Sequence, residues 1–314
     1  MEKKLKKINV IVIGLGRIGL HYAFDDKRPQ PASHISAIMD NSNLKLVGVC
    51  DMNDKSIKKF QQKYSKKVIC ANNYLSLINK LEKNDVNFDI IVIATPDKTH
   101  FDILNSCIST LKKSNTKKII FCEKPVTDNL LDAKKLKKSI LHSKINLVVN
   151  HSRRWSKIWQ EAFRFKSQIG KIQKAGFYFS TSPENKNISQ IRDGIHMADV
   201  ISWFKIKKIT SINRLNVNYF VYDFHMWGSE GKVEILNFGT ELRVYKTRKS
   251  EHFKGFYELK LIRQKNIYES YLKNVYQEFV NYFEKKKLLS CTMNDAIEAM
   301  KSFEEYVYVK NLPR

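Results

Sequence analysis

The sequence predicts an α/β protein: a doubly wound parallel sheet at the N-terminus, followed by an α+β domain with a large, mostly antiparallel sheet. Three observations predict it. Short apolar, β-branched runs alternate with helix-patterned segments through the first 150 residues or so, and that alternation implies parallel strands joined by right-handed crossovers. The first such run leads straight into a glycine-rich turn. From about residue 171 to 264 the pattern changes to period-two runs broken by glycine-containing turns, as antiparallel sheets require.

The elements follow in order. Residues 8–13, INVIVI, suit a central strand buried on both faces. Residues 44–50 give a second strand closed by Asp51, 54–64 a helix, 67–70 a short strand and 74–82 a helix. Residues 88–94 form a strong buried strand ended by Thr95-Pro96, 99–112 a helix, and 118–122 the next strand. A lysine-rich helix is expected over 128–142, a strand over 146–150 and a helix over 157–168. Strands then follow at 175–180, 211–222, 231–236 and 242–247, with one helix near 195–204. The tail, 268–309, reads as helical, with Asn294 as a cap. The expected division is 1–125 for the first domain and 126–314 for the second.

Composition narrows the class. Of 314 residues, 43% are apolar, which is ordinary for a globular protein. No apolar run is long enough to cross a bilayer, and the basic N-terminus runs into a strand instead of a signal-peptide core. The five cysteines are widely spaced and include no C-x-x-C pair, which suggests neither a disulfide framework nor a zinc site and fits a cytoplasmic protein. The net charge of +25 comes from lysine spread along the whole chain. Aromatics are not interleaved with it as in nucleic-acid binders, so no nucleic acid and no membrane is expected as a partner. A basic surface would still attract a small anionic ligand.

The motif that carries most is Gly14-x-Gly16-x-x-Gly19, directly after a strand and expected to open a helix. In that context it is a dinucleotide fingerprint: a tight turn at Gly14, close approach of a pyrophosphate at Gly16 with Arg17 and Ile18 beside it, and close helix packing at Gly19. The first domain therefore reads as a Rossmann fold. Asp51 ends the second strand, where a carboxylate accepts the ribose hydroxyls and favours NAD over NADP. Its distance from the glycines exceeds the usual ~20 residues by the Pro-containing stretch 24–31, which reads as an excursion near the cofactor cleft or as an oligomer contact.

Ala94-Thr95-Pro96 with His100, and Glu123-Lys124-Pro125, close two further strands at the edge where such folds bind ligands. Lys124 there can stabilise developing negative charge on an oxygen. Arg153-Arg154-Trp155 follows a later strand and suits a phosphate, carboxylate or sugar face.

Together these motifs, with Asn150 through Arg153 and Gly194-x-His196-x-x-Asp199, resemble the Gfo/Idh/MocA family of oxidoreductases in order and spacing over nearly the whole chain. The resemblance implies NAD(P)-dependent oxidation or reduction of a sugar, cyclitol or sugar derivative, a dimer or tetramer, and no metal. It implies a cis Lys124-Pro125 bond, Lys124 in contact with substrate and nicotinamide, and His196 as acid–base catalyst. The family often places an Asp four residues before that histidine. Here that place holds Arg192, with Asp193 three before. Arg192 could bind an anionic substrate group. The substrate set expected from sequence is thus Arg153, Arg154, Trp155, Arg192, Asp193 and Asp199. Two other functions remain open: an imine or carbonyl reductase, and an NAD-binding regulator or scaffold without turnover.

Overall fold

The computed structural model describes residues 7–64, 66–112, 114–180, 190–207, 209–215, 217–285 and 287–308; in the helix that begins at 190, side chains are described from 194 on. In chain order the elements are β1 (Ile8–Ile13), α1 (His34–Asp40), β2 (Leu44–Cys50), α2 (Asp54–Lys63), β3 (Ile69–Ala71), α3 (Tyr74–Lys83), β4 (Ile90–Ile93), α4 (His100–Leu111), β5 (Lys118–Cys122), α5 (Leu130–Ser139) and β6 (Ile145–Val149). They continue with α6 (Lys157–Phe165), β7 (Ile172–Phe179), α7 (Gln190–Trp203), β8 (Ile209–Arg214), β9 (Tyr222–Gly228), β10 (Gly231–Leu236), β11 (Glu241–Lys249), β12 (Tyr257–Asn266), α8 (Tyr271–Lys285) and α9 (Met293–Ser302). The chain forms two compact units. The first holds the chain up to Ser152 together with Glu269–Ile297, and the second holds Arg153–Tyr268 and the residues from Glu298 on.

The first unit is built on a six-stranded sheet in the order β3-β2-β1-β4-β5-β6, with every pairing parallel. β4 and β5 are buried at every position, as their unbroken apolar runs require of strands covered on both faces. The strand order reverses between β1 and β4, which opens a crevice at the carboxyl ends of these strands. The boundary lies beyond residue 125 because β6 pairs with β5. α8 belongs to this unit too, with Phe279 edge-on to Phe121 at 5.1 Å.

One expectation is corrected at the glycine turn. No continuous helix opens there. Leu20 N–H donates to Gly16 O at 2.9 Å, which makes a single helical turn, and the chain then leaves in a short 3₁₀ segment, His21–Phe24. It returns at α1, where His34 N–H donates to Ile18 O (2.9 Å) and Ile35 N–H to Gly19 O (3.1 Å). An α-helical N–H bonds four residues back, so His34 occupies the slot of a residue at 22. Twelve residues, 22–33, are therefore inserted into the helix that follows β1. Without them Asp51 stands twenty residues beyond Gly19, the usual fingerprint separation of ~20. The insert packs against α2: Lys59 and Lys63 lie over the Phe24 ring at 4.1 and 4.3 Å. It is pinned at its end by Ser270 Oγ, which donates to Pro31 O.

The second unit is built on a six-stranded sheet in the order β12-β11-β10-β9-β7-β8. It is antiparallel except for β7–β8, which is parallel. The single run expected over 211–222 divides here. β8 ends at Arg214, the chain bends at Asn218 with Tyr219 and Phe220 exposed, and β9 begins on the other side of β7. One face of the sheet buries Phe177, Phe224, Met226, Val233, Ile235, Leu242 and Val244, while Trp159 and Ala162 of α6 and Ala198 and Val200 of α7 are equally buried. Trp159 lies 5.7 Å from Phe224, and Phe177 4.8 Å from Phe224, between ring centres. α7 starts at Gln190, earlier than expected. The cap of α9 falls on Thr292, whose N–H and hydroxyl both donate to Asp295 Oδ2, instead of on Asn294. Among the described residues, no helix is long and apolar enough to cross a membrane.

Candidate cofactor and active site

In the first unit, the carboxyl edge of the sheet gathers most of the residues singled out by sequence. Gly14 has φ +98°, and a Cβ there would lie 2.7 Å from the backbone of Ala94. A Cβ on Gly19 would lie 2.1 Å from Gly14 O. Only glycine fits either place. Gly16 differs: a Cβ there meets nothing within 4 Å. The turn is thus packed shut on its protein sides and open at Gly16, the position where a pyrophosphate approaches backbone in such folds.

Gly14, Gly16, Asp51, Ala94, Thr95 and Pro96 line one cavity of about 650 Å³, within the range of a cofactor site. Met52, Asn53, Asn72, Asn73 and Tyr74 line it too, and sequence reasoning passed over them. The signal available was their place at the carboxyl ends of β2 and β3. Asp51 Oδ2 accepts from Leu15 N–H at 2.6 Å and Oδ1 from Asn53 N–H at 2.8 Å, so the carboxylate ties the glycine turn to the end of β2. Arg17 is exposed and Ile18 half-buried, and the carbonyl of Ile18 serves the resumed helix.

Two further residues of the expected cofactor set make hydrogen bonds within the protein. His100 is 1% exposed, with Nδ1 2.7 Å from Pro125 O and Nε2 2.9 Å from Thr95 O. Both ring nitrogens are therefore taken by backbone. Glu123 Oε1 accepts from His34 Nε2 at 2.8 Å and from Asn150 Nδ2 at 2.6 Å. Burial pushes this carboxyl up, but the hydrogen bond and charge of His34, the Asn150 amide and the neighbouring Lys124 outweigh it and hold Glu123 below the usual carboxylate value. Lys124 is half-buried, and its bond to Pro125 is cis, as the family resemblance implies.

In the second unit the expected substrate residues separate into two groups. Arg154 Nε donates to Asp199 Oδ1 at 2.9 Å, with side chains 5% and 1% exposed. Trp155 is 1% exposed. These three are committed to the interior: the ion pair joins the segment Ser152–Trp155 to α7, the helix that carries His196. Arg153 and His196 are half-buried, and the Arg153 guanidinium lies 4.2 Å above the Tyr222 ring. Arg192 and Asp193 fall in the first turn of α7, with side chains outside the described ones. All five cysteines are free thiols; burial pushes Cys50 and Cys107 up to about 12, which leaves them inert as nucleophiles. Among the described residues, no group of three or more His, Cys, Asp or Glu side chains is placed to hold a metal ion.

Residues 8–151 match the model of an oxidoreductase family with an NAD-binding Rossmann fold, GFO_IDH_MocA. No curated protein matches the chain. Solved structures of similar fold include KijD10, a 3-ketoreductase from Actinomadura kijaniata in complex with NADP and TDP-benzene (14% identity, 97% of this chain and 98% of that one, TM-score 0.70). An oxidoreductase from Agrobacterium radiobacter in complex with NAD+, L-tartaric acid and magnesium is 15% identical over 95% of each chain, with TM-score 0.69. A super-repressor mutant of Gal80p from Saccharomyces cerevisiae is 15% identical over 97% of this chain and 96% of its own, with TM-score 0.71. Over residues 8–151 the chain is thus similar to the oxidoreductase family that the GFO_IDH_MocA model describes, and this segment carries that family's NAD-binding Rossmann fold.

Proposed function

We propose that the protein transfers a hydride between a nicotinamide dinucleotide and a secondary alcohol or ketone of a sugar, cyclitol or sugar derivative, and that it uses NAD in preference to NADP. The single observation that carries this is the cavity at the carboxyl edge of the first sheet, with Gly16 open to it and Asp51 on its wall. A carboxylate there accepts ribose hydroxyls and repels a 2′-phosphate. Among the described residues, no lysine or arginine lines the cavity to offset that repulsion.

When bound, the nicotinamide supplies the hydride acceptor or donor. Gly14, Gly16, Arg17, Ile18 and Gly19 would hold the phosphates by backbone contacts in the turn after β1, and Ala94, Thr95 and Pro96 would form the wall beyond. Lys124 donates to the carbinol or carbonyl oxygen and stabilises its negative charge. His196 takes or returns the hydroxyl proton. Arg153 selects a carboxylate- or phosphate-bearing substrate, such as a uronic acid or nucleotide sugar. The fold neighbours that hold TDP-benzene or L-tartaric acid support that substrate class. The protein works in the cytoplasm as a homodimer or homotetramer, which light scattering tests; a monomer at micromolar concentration would contradict it.

A second reading has its own observation. Arg192 stands where the family often has an acid, and a chain of this fold that retained the cofactor without turnover would be a regulator. Turnover of NAD+ or NADH with a panel of neutral and anionic sugars separates the two. The enzyme reading expects turnover, with Lys124→Ala and His196→Ala each lowering it by about two or more orders of magnitude. Tight cofactor binding without turnover on any substrate would favour the regulator.

A further inference from the structure

The turn that presents Lys124 is gripped on both sides by buried histidines. On its N-terminal side stands Glu123, whose Oε1 accepts from His34 Nε2 (2.8 Å) and Asn150 Nδ2 (2.6 Å). His34 is wholly buried, and its Nδ1 meets Tyr276 OH at 2.9 Å. Asn150, 1% exposed, also donates to Tyr271 OH at 3.1 Å. On the C-terminal side His100 lies between the carbonyls of Pro125 and Thr95.

A buried carboxylate facing a buried imidazole is costly to desolvate, and apolar residues of the same size would fill the space at least as stably. Fully satisfied buried polar networks rigidify what they hold. This one joins four segments remote in sequence: the start of α1, the ends of β5 and β6, and α8. The network converges on Glu123, the residue before Lys124, while His100 holds the carbonyl of Pro125, the residue after it.

We propose that His34 and His100 are positioning residues that lock Lys124 from both sides, His34 through the Glu123 carboxylate and His100 through the Pro125 carbonyl. The proposal rests on the reading of Lys124 as the group that engages the reacting oxygen. Misplacing such a group by about 1 Å costs on the order of 100-fold in rate.

The test uses the full-length protein with His34→Leu, His34→Gln, His100→Leu and Glu123→Gln. In His34→Leu and His100→Leu, kcat falls by about 10- to 100-fold, while NADH affinity stays within about twofold, a difference well under 1 kcal/mol. His34→Gln keeps an N–H for Glu123 and recovers most of that loss. Unchanged kcat in folded leucine variants, or the same loss in the glutamine and leucine variants, would overturn the clamp. A second measurement needs no substrate and serves if a leucine variant fails to fold. Lysines are reductively methylated with ¹³C-formaldehyde, and the Lys124 resonance is assigned by its absence in Lys124→Arg. That resonance lies apart from the surface lysines in the wild type and moves toward them in Glu123→Gln; if it does not move, the clamp fails. A wild type that shows the displaced resonance but never turns over would refute the catalytic reading and leave the clamp standing.

Discussion

At the scale of single residues, the glycines of the first turn carry different burdens. Gly14 and Gly19 are required by the protein's own backbone, while Gly16 faces open space. Gly14→Ala forces a Cβ onto Ala94 at positive φ, and we expect it to cost about 2 kcal/mol or more. Gly16→Ala fits the free protein and should leave the thermal midpoint within the scatter of a surface change, about 0.5 kcal/mol, while weakening NAD+ binding. Thermal melts together with a cofactor titration read both. Equal destabilisation by the two variants would mean that Gly16 serves the fold. These glycines and Asp51 were legible because their spacing and strand context are local. His34 was not. The stretch 24–31 reads as an excursion, but nothing local shows that the chain re-enters the helix at His34, whose partner Glu123 lies 89 residues away. Arg154, Trp155 and Asp199 are a different case. Sequence shows that charge and aromatic lie together, but not that Arg154 and Asp199 spend their charge on each other in the interior.

At the scale of elements, alternation of apolar runs recovered the parallel strands to within two residues at either end, since strands buried on both faces leave a continuous apolar run. The two larger misreadings fall where tertiary context overrides local pattern: the broken helix after β1, and the run at 211–222 that divides between β8 and β9. If 22–33 is an insert, its deletion should rejoin His21 to His34 in helical register. The shortened chain should fold cooperatively and bind NADH within about tenfold of the wild type, or 1.4 kcal/mol. Loss of folding would show instead that the contacts with α2 and Ser270 are integral. In the second sheet, Glu234 on β10 provides a pH test. Hydrogen bonds from His225 (3.0 Å) and Lys232 outweigh the opposing effect of burial and lower its pKa from 4.5 to about 2. A carboxyl depressed in the folded state adds stability that is fully present above its unfolded value and is lost as pH falls through the folded one. The melting temperature should therefore drop between about pH 5 and pH 2, and Glu234→Gln should flatten that drop. A wild-type curve with the same slope as the variant would contradict the assignment.

At the scale of the whole molecule, the chain joins a cofactor-binding sheet of widely shared design to a second unit in which the family model finds no match. The first unit carries the cavity, Asp51 and Lys124, and the second carries His196 and Arg153. On the proposed function, the identity of the cofactor rests on the first unit and that of the substrate on the second. Sequence reached the former more surely, because a dinucleotide is recognised by backbone geometry that leaves a glycine pattern, whereas a sugar is recognised by scattered side chains. The measurement that tests the account most directly is calorimetric titration of the wild type and Asp51→Ala with NAD+ and NADP+. We expect one NAD+ site per chain and weaker NADP+ binding, with the preference narrowed in Asp51→Ala as the repulsion of the 2′-phosphate is removed. Binding of neither nucleotide, or NADP+ binding as tight as NAD+ in the wild type, would contradict it.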